Sequence, residues 1–370
     1  MNFEYLSNDD ALQVIVKISG GLCNMDCTYC YEKRRMYDED SIMDPNILDI
    51  FLTKMNKRKL SIQLHGGEPL LVGIEKMKRY FDIIKKYKGN VKLNIQTNGL
   101  LLNEDWFDFF NREWPDIEIG ISIDGDEETN CFRIDYNNNP TFKKIENILK
   151  LADEYKIRIG VIAVVNSKSI TKASDILSFY SKYQCIKTIN FTPCFDYNIG
   201  NSEVKNVPVW AITPKQYTDF VINIYNEWIN EKYYNNFIIE PIFSIIRVIN
   251  GKCTSLCHFN NRKCAHMMTL YPNGLIGSCD ELYMLNSYYY NIKDIIYLSE
   301  FEDMQRSHEL FKQINDIVEK CKNCDYYDLC KGGCCATRLN YNSYLEEEYC
   351  EQRKRLIEFI KLNIESINKI

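Results

Sequence analysis

Cys23-Asn24-Met25-Asp26-Cys27-Thr28-Tyr29-Cys30 places three thiols on one short loop with the spacing C-x3-C-x2-C. A cubane iron–sulfur cluster has four irons. Three cysteines from one loop hold three of them and leave the last open to an exchangeable ligand, whereas structural and electron-transfer clusters are normally closed by four thiolates. The spacing points to a cluster that does chemistry. A zinc site is the competing reading, but zinc sites usually present their cysteines as C-x2-C or C-x4-C pairs completed elsewhere in the chain.

Outward from this loop, short apolar or β-branched runs alternate with helical patterns. The strand candidates are Leu12 to Ile18, Leu60 to Leu64, Val91 to Gln96, Ile117 to Ile123, Ile157 to Val165 and Ile186 to Phe191. Between them, Ile47 to Met55, Met77 to Tyr87 and Phe142 to Tyr155 carry apolar residues at helical spacing. Such alternation implies an α/β fold with a parallel sheet, either doubly wound or curved like a barrel, and places function at the carboxyl ends of the strands. The notable residues fall there. The cysteine loop follows the first strand, His65-Gly66-Gly67-Glu68-Pro69 the second, Thr97-Asn98-Gly99 the third, Asp124-Gly125 the fourth, Asn166 the fifth and Cys194 the sixth.

With 370 residues, 45% hydrophobic and 26% charged, the chain has ample core for two or three units. A formal charge of −6 without a basic stripe argues against a nucleic-acid binder. The start, Met1 to Leu6, has no signal-peptide character, and no run is apolar for long enough to span a membrane, so a cytoplasmic location is expected. Sixteen cysteines then indicate metal or redox chemistry rather than disulfides.

The alternation stops after residue 195. Thr213-Pro214 opens a helix with Tyr217, Phe220, Val221, Ile224 and Trp228 on one face; Pro241 to Ile249 forms a second, and a terminal helix carries Leu356, Ile360, Ile364 and Ile367. The expected organisation is an α/β unit over residues 1–195, a helical linker over 196–250 and a cysteine-rich domain over 251–370. In the last, Cys253, Cys257, Cys264, Cys279, Cys321, Cys324, Cys330, Cys334, Cys335 and Cys350 are too dense to be small core residues. Spacing alone leaves open two closed iron–sulfur clusters or two zinc ribbons.

Several single residues carry two readings each. Gly66 and Gly67 let a backbone come close to a ligand, and Glu68 either receives a cationic group or is a solvated carboxylate in a tight turn. Asp124 either accepts from sugar hydroxyls or belongs to a plain Asp-Gly turn. Arg133 pairs a carboxylate bidentately or lies at the surface. His65 lines the pocket or is a core histidine. Asp280, beside Cys279, either has its pKa raised by a low dielectric and accepts a proton, or accepts backbone hydrogen bonds in a tight loop.

The loop with Tyr29 before its last cysteine, together with Gly66-Gly67-Glu68-Pro69, resembles the radical S-adenosylmethionine (SAM) superfamily. Cys279, Cys321-x2-Cys324-x5-Cys330-x3-Cys334 and Cys350 resemble its SPASM domain. The resemblance covers nearly the whole chain and implies a partial (β/α)6 TIM-like barrel followed by a SPASM domain, with SAM and three [4Fe-4S] clusters as cofactors. It implies that Cys23, Cys27 and Cys30 hold the catalytic cluster. Cys257, Cys264, Cys279 and Cys334 would hold the first auxiliary cluster, with Cys253 competing for the place of Cys257, and Cys321, Cys324, Cys330 and Cys350 the second. SAM contacts are implied for Tyr29, Gly66, Gly67, Glu68, Asn98, Ser122, Asp124 and Arg133, and the role of base for Asp280.

Within the superfamily, length and element order are most like the anaerobic sulfatase-maturating enzymes, which oxidise a cysteine or serine to formylglycine. Two departures stand out: His65 where those enzymes usually carry glutamine, and Cys30-Tyr31-Glu32-Lys33 in place of their usual Cys-Phe-Tyr. His-Gly-Gly-Glu-Pro-Leu-Leu is more like the maturases of ribosomally made peptides. The expected function is therefore modification of a peptide or protein side chain by hydrogen abstraction, giving a cross-link or an oxidation. Formylglycine formation is the alternative, and a non-catalytic zinc-binding interaction protein the remote one. A flavodoxin- or ferredoxin-type electron donor is the expected partner. Because the chain enters the strand–helix alternation almost at once, leader recognition is expected to use a separate protein or the SPASM region.

Overall fold

The computed structural model describes residues 11–34, 41–196, 207–254, 256–260, 263–282, 288–296, 303–305, 307–340 and 343–364. The readings of the first six residues and of Ile367 lie outside them. The chain divides into two compact units, one of residues 1–26, 30–120 and 262–316, the other of 27–29, 121–261 and 317–370.

In the first unit, β1 (Leu12–Lys17) is flanked by β2 (Leu60–His65) and β8 (Met267–Leu270), parallel to both. On the other edge of β2 lies β3 (Val91–Thr97), also parallel. Beyond β8 the sheet turns antiparallel through β9 (Leu275–Gly277) and β10 (Tyr288–Asn291). The apolar residues of β1 read almost continuously because the strand is covered on both faces; Leu12, Val14 and Val16 are fully buried. Helices α1 (Pro45–Lys54), α2 (Gly73–Lys86) and α3 (Glu104–Glu113) supply the crossovers. Periodicity places the start of α2 at Met77, but the helix begins one turn earlier. Apolar spacing marks the buried face, and the first turn carries Glu75 and Lys76.

Strand β4 (Glu118–Ser122) is divided, with Gly120 in the first unit and Ile121 in the second. In the second unit β5 (Ile159–Val165), β6 (Ile186–Pro193) and β7 (Ile238–Glu240) run parallel in that order. Helices α4 (Phe142–Glu154), α5 (Ala173–Tyr180), α6 (Pro214–Asn230) and α7 (Ile242–Ile249) accompany them. Thr213 and Gln216 close α6 with a capping box, and Pro214 stands in its first turn. Helix α8 (Glu309–Cys321) leads into the last cysteine group, which continues through α9 (Tyr327–Cys330), α10 (Cys335–Asn340) and α11 (Ser343–Asn363). Tyr225 of α6 meets Phe359 of α11 edge to face at 5.3 Å and donates its hydroxyl to Asn363 O, which seats the terminal helix. No helix among the described residues is long and apolar enough to cross a membrane.

Candidate active site

The register of β1 on β2 pairs Lys17 with His65, so two polar residues meet where both strands end. Alternate residues of a strand share a face. Upstream on that face Gln13 and Ile15 of β1, Ser61 and Gln63 of β2, and Lys92 and Asn94 of β3 line a cavity of about 210 Å³. Lys17 is buried, with 1% of its surface exposed, and a buried ammonium must be paired. It contacts Asp280 Oδ2 at 2.8 Å, Glu32 Oε1 at 2.5 Å, the Tyr31 hydroxyl at 3.2 Å and His65 Nδ1 at 3.2 Å. Tyr31 donates a second hydrogen bond to Asp280 Oδ2 at 2.9 Å. Three potential metal donors, Glu32, His65 and Asp280, thus lie within 4.8 Å of one another. Each is already bonded to Lys17, so the positive charge at the centre of the group is the chain's own.

Asp280 therefore sits in an ion pair completed by a phenol, a partner set that neither sequence reading included. His65 is in the polar group rather than in the core. Lys17 was missed as a site residue; its signal is a charge interrupting the apolar run Val14-Ile15-Val16-Lys17-Ile18. Glu32 and His65, at the two positions that depart from the maturase pattern, meet on this one ammonium.

At the next strand end, the close approach that Gly66 and Gly67 permit is to the chain's own backbone. Gly67 N donates to Gly20 O and Glu68 N to Leu22 O, both at 2.8 Å. A Cβ on Gly67 would stand 2.2 Å from Leu22 O, and one on Gly66, whose φ is +138°, would stand 2.4 Å from Ser19 Oγ. Glu68 is fully buried, which removes the solvated-carboxylate reading. Its oxygens accept from Leu70 N, Thr97 Oγ1 and Asn98 N at 2.7 to 3.0 Å, tying the ends of β2 and β3 together. Asn98 passes this on to the cysteine loop, donating to Asn24 Oδ1 at 2.7 Å and lying 3.6 Å from Cys23 Sγ. Met25 N also points at Cys23 Sγ, at 3.4 Å. Two N–H groups aimed at one half-exposed sulfur suit a metal-bound thiolate. Among the described residues the buried Ser19 hydroxyl has no hydrogen-bond partner, leaving a polar atom for a bound group to satisfy.

In the second unit Tyr29 is buried against Cys194 and Trp210. Its hydroxyl donates to Asp124 Oδ2 at 2.5 Å and accepts from Arg133 Nη1 at 3.1 Å. Asp124 Oδ1 accepts from Val164 N, and Asp124 N donates to Asn130 Oδ1. Burial pushes the Asp124 carboxyl up to about 6 against the pull of Arg133 and the Tyr29 hydrogen bond. The same burial, reinforced by Asp124, holds the Tyr29 phenol protonated well above its ordinary range. The surface reading of Arg133 is corrected: it is buried, and its Nε lacks a partner among the described residues. Asp124 is no plain turn residue, since both of its oxygens are engaged. Ser122 closes β4, half-buried.

In the last cysteine group, Cys324 N donates to Cys321 O, and Cys334 N donates to the Tyr349 hydroxyl. Arg338 Nη1 lies 2.9 Å from Cys321 Sγ and Arg353 Nε 3.3 Å from Cys330 Sγ. Cys253 is exposed, whereas Cys257 and Cys264 are half-buried.

A family model described as the Radical SAM superfamily matches residues 18–177, the span that holds the cysteine loop, the Gly-Gly-Glu turn and Asp124. Residues 18–177 thus carry a radical SAM domain, the chain is an enzyme, and the non-catalytic reading falls. Over nearly its whole length it is similar to anaerobic sulfatase-maturating enzymes. It is 27% identical over 363 residues to a cysteine-type enzyme of Clostridium novyi (strain NT), covering 94% of this chain and 95% of that one. It is 28% identical over 360 residues to a serine-type enzyme of Bacteroides thetaiotaomicron, covering 89% and 84%. Among solved structures, anSMEcpe with bound AdoMet matches with a TM-score of 0.84 at 25% identity, covering 98% of this chain and 96% of that one. The same protein with AdoMet and a bound peptide matches with a TM-score of 0.83, at 25% identity and 98% and 100% coverage. The α/β architecture followed by a cysteine-rich region is the expected one.

Proposed function

We propose that this enzyme oxidises a cysteine side chain of a peptide or protein substrate to formylglycine. The observation that carries the reading is the enclosed Asp280 carboxylate, fixed by Lys17 and Tyr31, in a chain similar from end to end to sulfatase-maturating enzymes. This ranks formylglycine formation above the cross-link that the sequence favours. The peptide bound with AdoMet in an anSMEcpe structure supports a peptide substrate here.

In this reading Cys23, Cys27 and Cys30 hold the catalytic cluster. By the family pattern, Cys257, Cys264, Cys279 and Cys334 hold the first auxiliary cluster, and Cys321, Cys324, Cys330 and Cys350 the second. Bound there, SAM and the catalytic cluster supply hydrogen-atom abstraction through a 5'-deoxyadenosyl radical, and the auxiliary clusters take up one electron. By the family pattern, Gly66, Gly67 and Glu68 would meet the cofactor's amino group, and Asn98 ties Glu68 to the Cys23 loop. By the same pattern Ser122 and Asp124 would approach its ribose, and Tyr29 and Arg133 fix Asp124. Asp280 accepts the proton of the substrate thiol. Loss of a hydrogen atom from Cβ, a proton from sulfur and one electron leaves a carbon–sulfur double bond, which water converts to the aldehyde and hydrogen sulfide. A flavodoxin- or ferredoxin-type protein supplies the electron that starts the cycle.

A second reading, formation of a side-chain cross-link in a precursor peptide, is favoured by Glu32 and His65, which change the surroundings of Asp280. It would add a separate leader-binding protein as partner. Anaerobic incubation of the reconstituted enzyme with SAM, a reductant and a sulfatase-type peptide separates the two. Mass spectrometry is expected to find formylglycine at the cysteine; complete inertness of that peptide would overturn the formylglycine reading.

A further inference from the structure

Two arginines reach the sulfurs of the last cysteine group. Arg338, on α10, is 6% exposed and places Nη1 2.9 Å from Cys321 Sγ and 3.1 Å from Gly332 O. Its Nε and Nη2 are held by Glu346 Oε1 at 3.0 and 2.6 Å, so the guanidinium is fixed from its other edge. Arg353, on α11, places Nε 3.3 Å from Cys330 Sγ and Nη2 3.3 Å from Cys330 O. Its guanidinium is 4.5 Å from the centre of the Phe259 ring and 5.6 Å from that of Tyr349, a cation–π enclosure that holds it in place.

The turn between the cysteines is shaped to admit both. Gly332 and Gly333 have φ of +80° and +72°. A Cβ on Gly333 would lie 2.7 Å from the Tyr349 hydroxyl and 2.9 Å from Arg353 Nε, and one on Gly332 would face Cys321 Sγ and Arg338 Nη1 at 3.5 and 3.6 Å.

Neither arginine is needed to complete a four-thiolate cluster. Reduction adds a negative charge to a cluster that is already negative, and N–H donors to the sulfurs with nearby positive charge favour the reduced form. We propose that Arg338 and Arg353 raise the reduction potential of the second auxiliary cluster, so that it takes the electron released by the substrate radical and holds it. This rests on the reading that Cys321, Cys324, Cys330 and Cys350 bind one cluster.

The test is a redox titration of the full-length reconstituted enzyme followed by electron paramagnetic resonance, with the second cluster's signal identified by its loss in Cys350→Ala. In Arg338→Gln or Arg353→Gln, the one-electron equilibrium of that cluster should shift about tenfold towards the oxidised form, about 59 mV lower in potential. Arg338→Lys and Arg353→Lys, which keep the charge, should shift less, and the catalytic cluster should not move. An unchanged potential in variants with full iron content would overturn the proposal. So would loss of that cluster's iron in the Gln variants, because the arginines would then retain the cluster rather than tune it. Wild-type protein whose iron content leaves no room for this cluster would instead overturn the ligand assignment.

Discussion

The Lys17 ammonium lies 2.8 Å from Asp280 Oδ2, although 263 positions separate the two residues in the chain. Both side chains are nearly excluded from solvent, and the same ammonium also holds Glu32. Removing one partner of a buried pair leaves an uncompensated charge and costs about 3–5 kcal/mol. Lys17→Met is expected to lower the thermal midpoint and to reduce product formation about 100-fold or more, as expected when a positioned proton acceptor is disturbed. Formation of 5'-deoxyadenosine, measured by chromatography, should persist. Product formation at the wild-type rate would show that the pair does not position Asp280.

Asp280→Asn keeps the size of the side chain and removes its ability to take a proton. Product yield should fall by a factor of roughly 10² to 10⁴ while SAM cleavage continues, uncoupled from product. A parallel loss of both activities would assign Asp280 to binding or folding instead.

Asp124 gives a pH signature. Its folded-state value of about 6 lies above the ordinary carboxylate range, so folding favours the protonated form. The stability this contributes is fully present below the unfolded-state value and is lost as pH rises through about 6, with an upper size of about 3 kcal/mol. Between pH 5 and 7.5 the thermal midpoint of the wild type should fall more than that of Asp124→Asn, which cannot ionise. Equal slopes for the two proteins would contradict the assignment.

Gly67→Ala places a methyl group 2.2 Å from Leu22 O, a backbone atom that cannot turn aside. The loop that carries Cys23 must shift, so visible absorption and iron analysis should show loss of the catalytic cluster's iron. Gly73→Ala, with φ +74° and ψ 161° but nothing within 4 Å of its Cβ, should cost about 1–3 kcal/mol in backbone strain and keep the cluster.

The parallel strands and the cysteine loop were legible because their signals are local: apolar runs bounded by turns, and thiols at fixed spacing. The partners of Glu68 and Asp124 were not. Each is a carboxylate next to a glycine or proline, which reads as a turn until its donors, Thr97 and Asn98 or Tyr29 and Val164, arrive from other segments. Lys17 and Asp280 sit on segments far apart in the chain, and only the pairing of β8 with β1 brings those segments into one sheet. The meeting of Glu32 and His65 on Lys17 was hidden for the same reason, although each stood out singly as a departure from the maturase pattern.

The most direct test of the account uses a sulfatase-type peptide whose target cysteine carries deuterium on Cβ. Anaerobic turnover should give formylglycine together with 5'-deoxyadenosine that has gained deuterium, both read by mass spectrometry. If 5'-deoxyadenosine forms without deuterium while the peptide is converted, the hydrogen is taken from elsewhere and the proposed oxidation at Cβ is wrong.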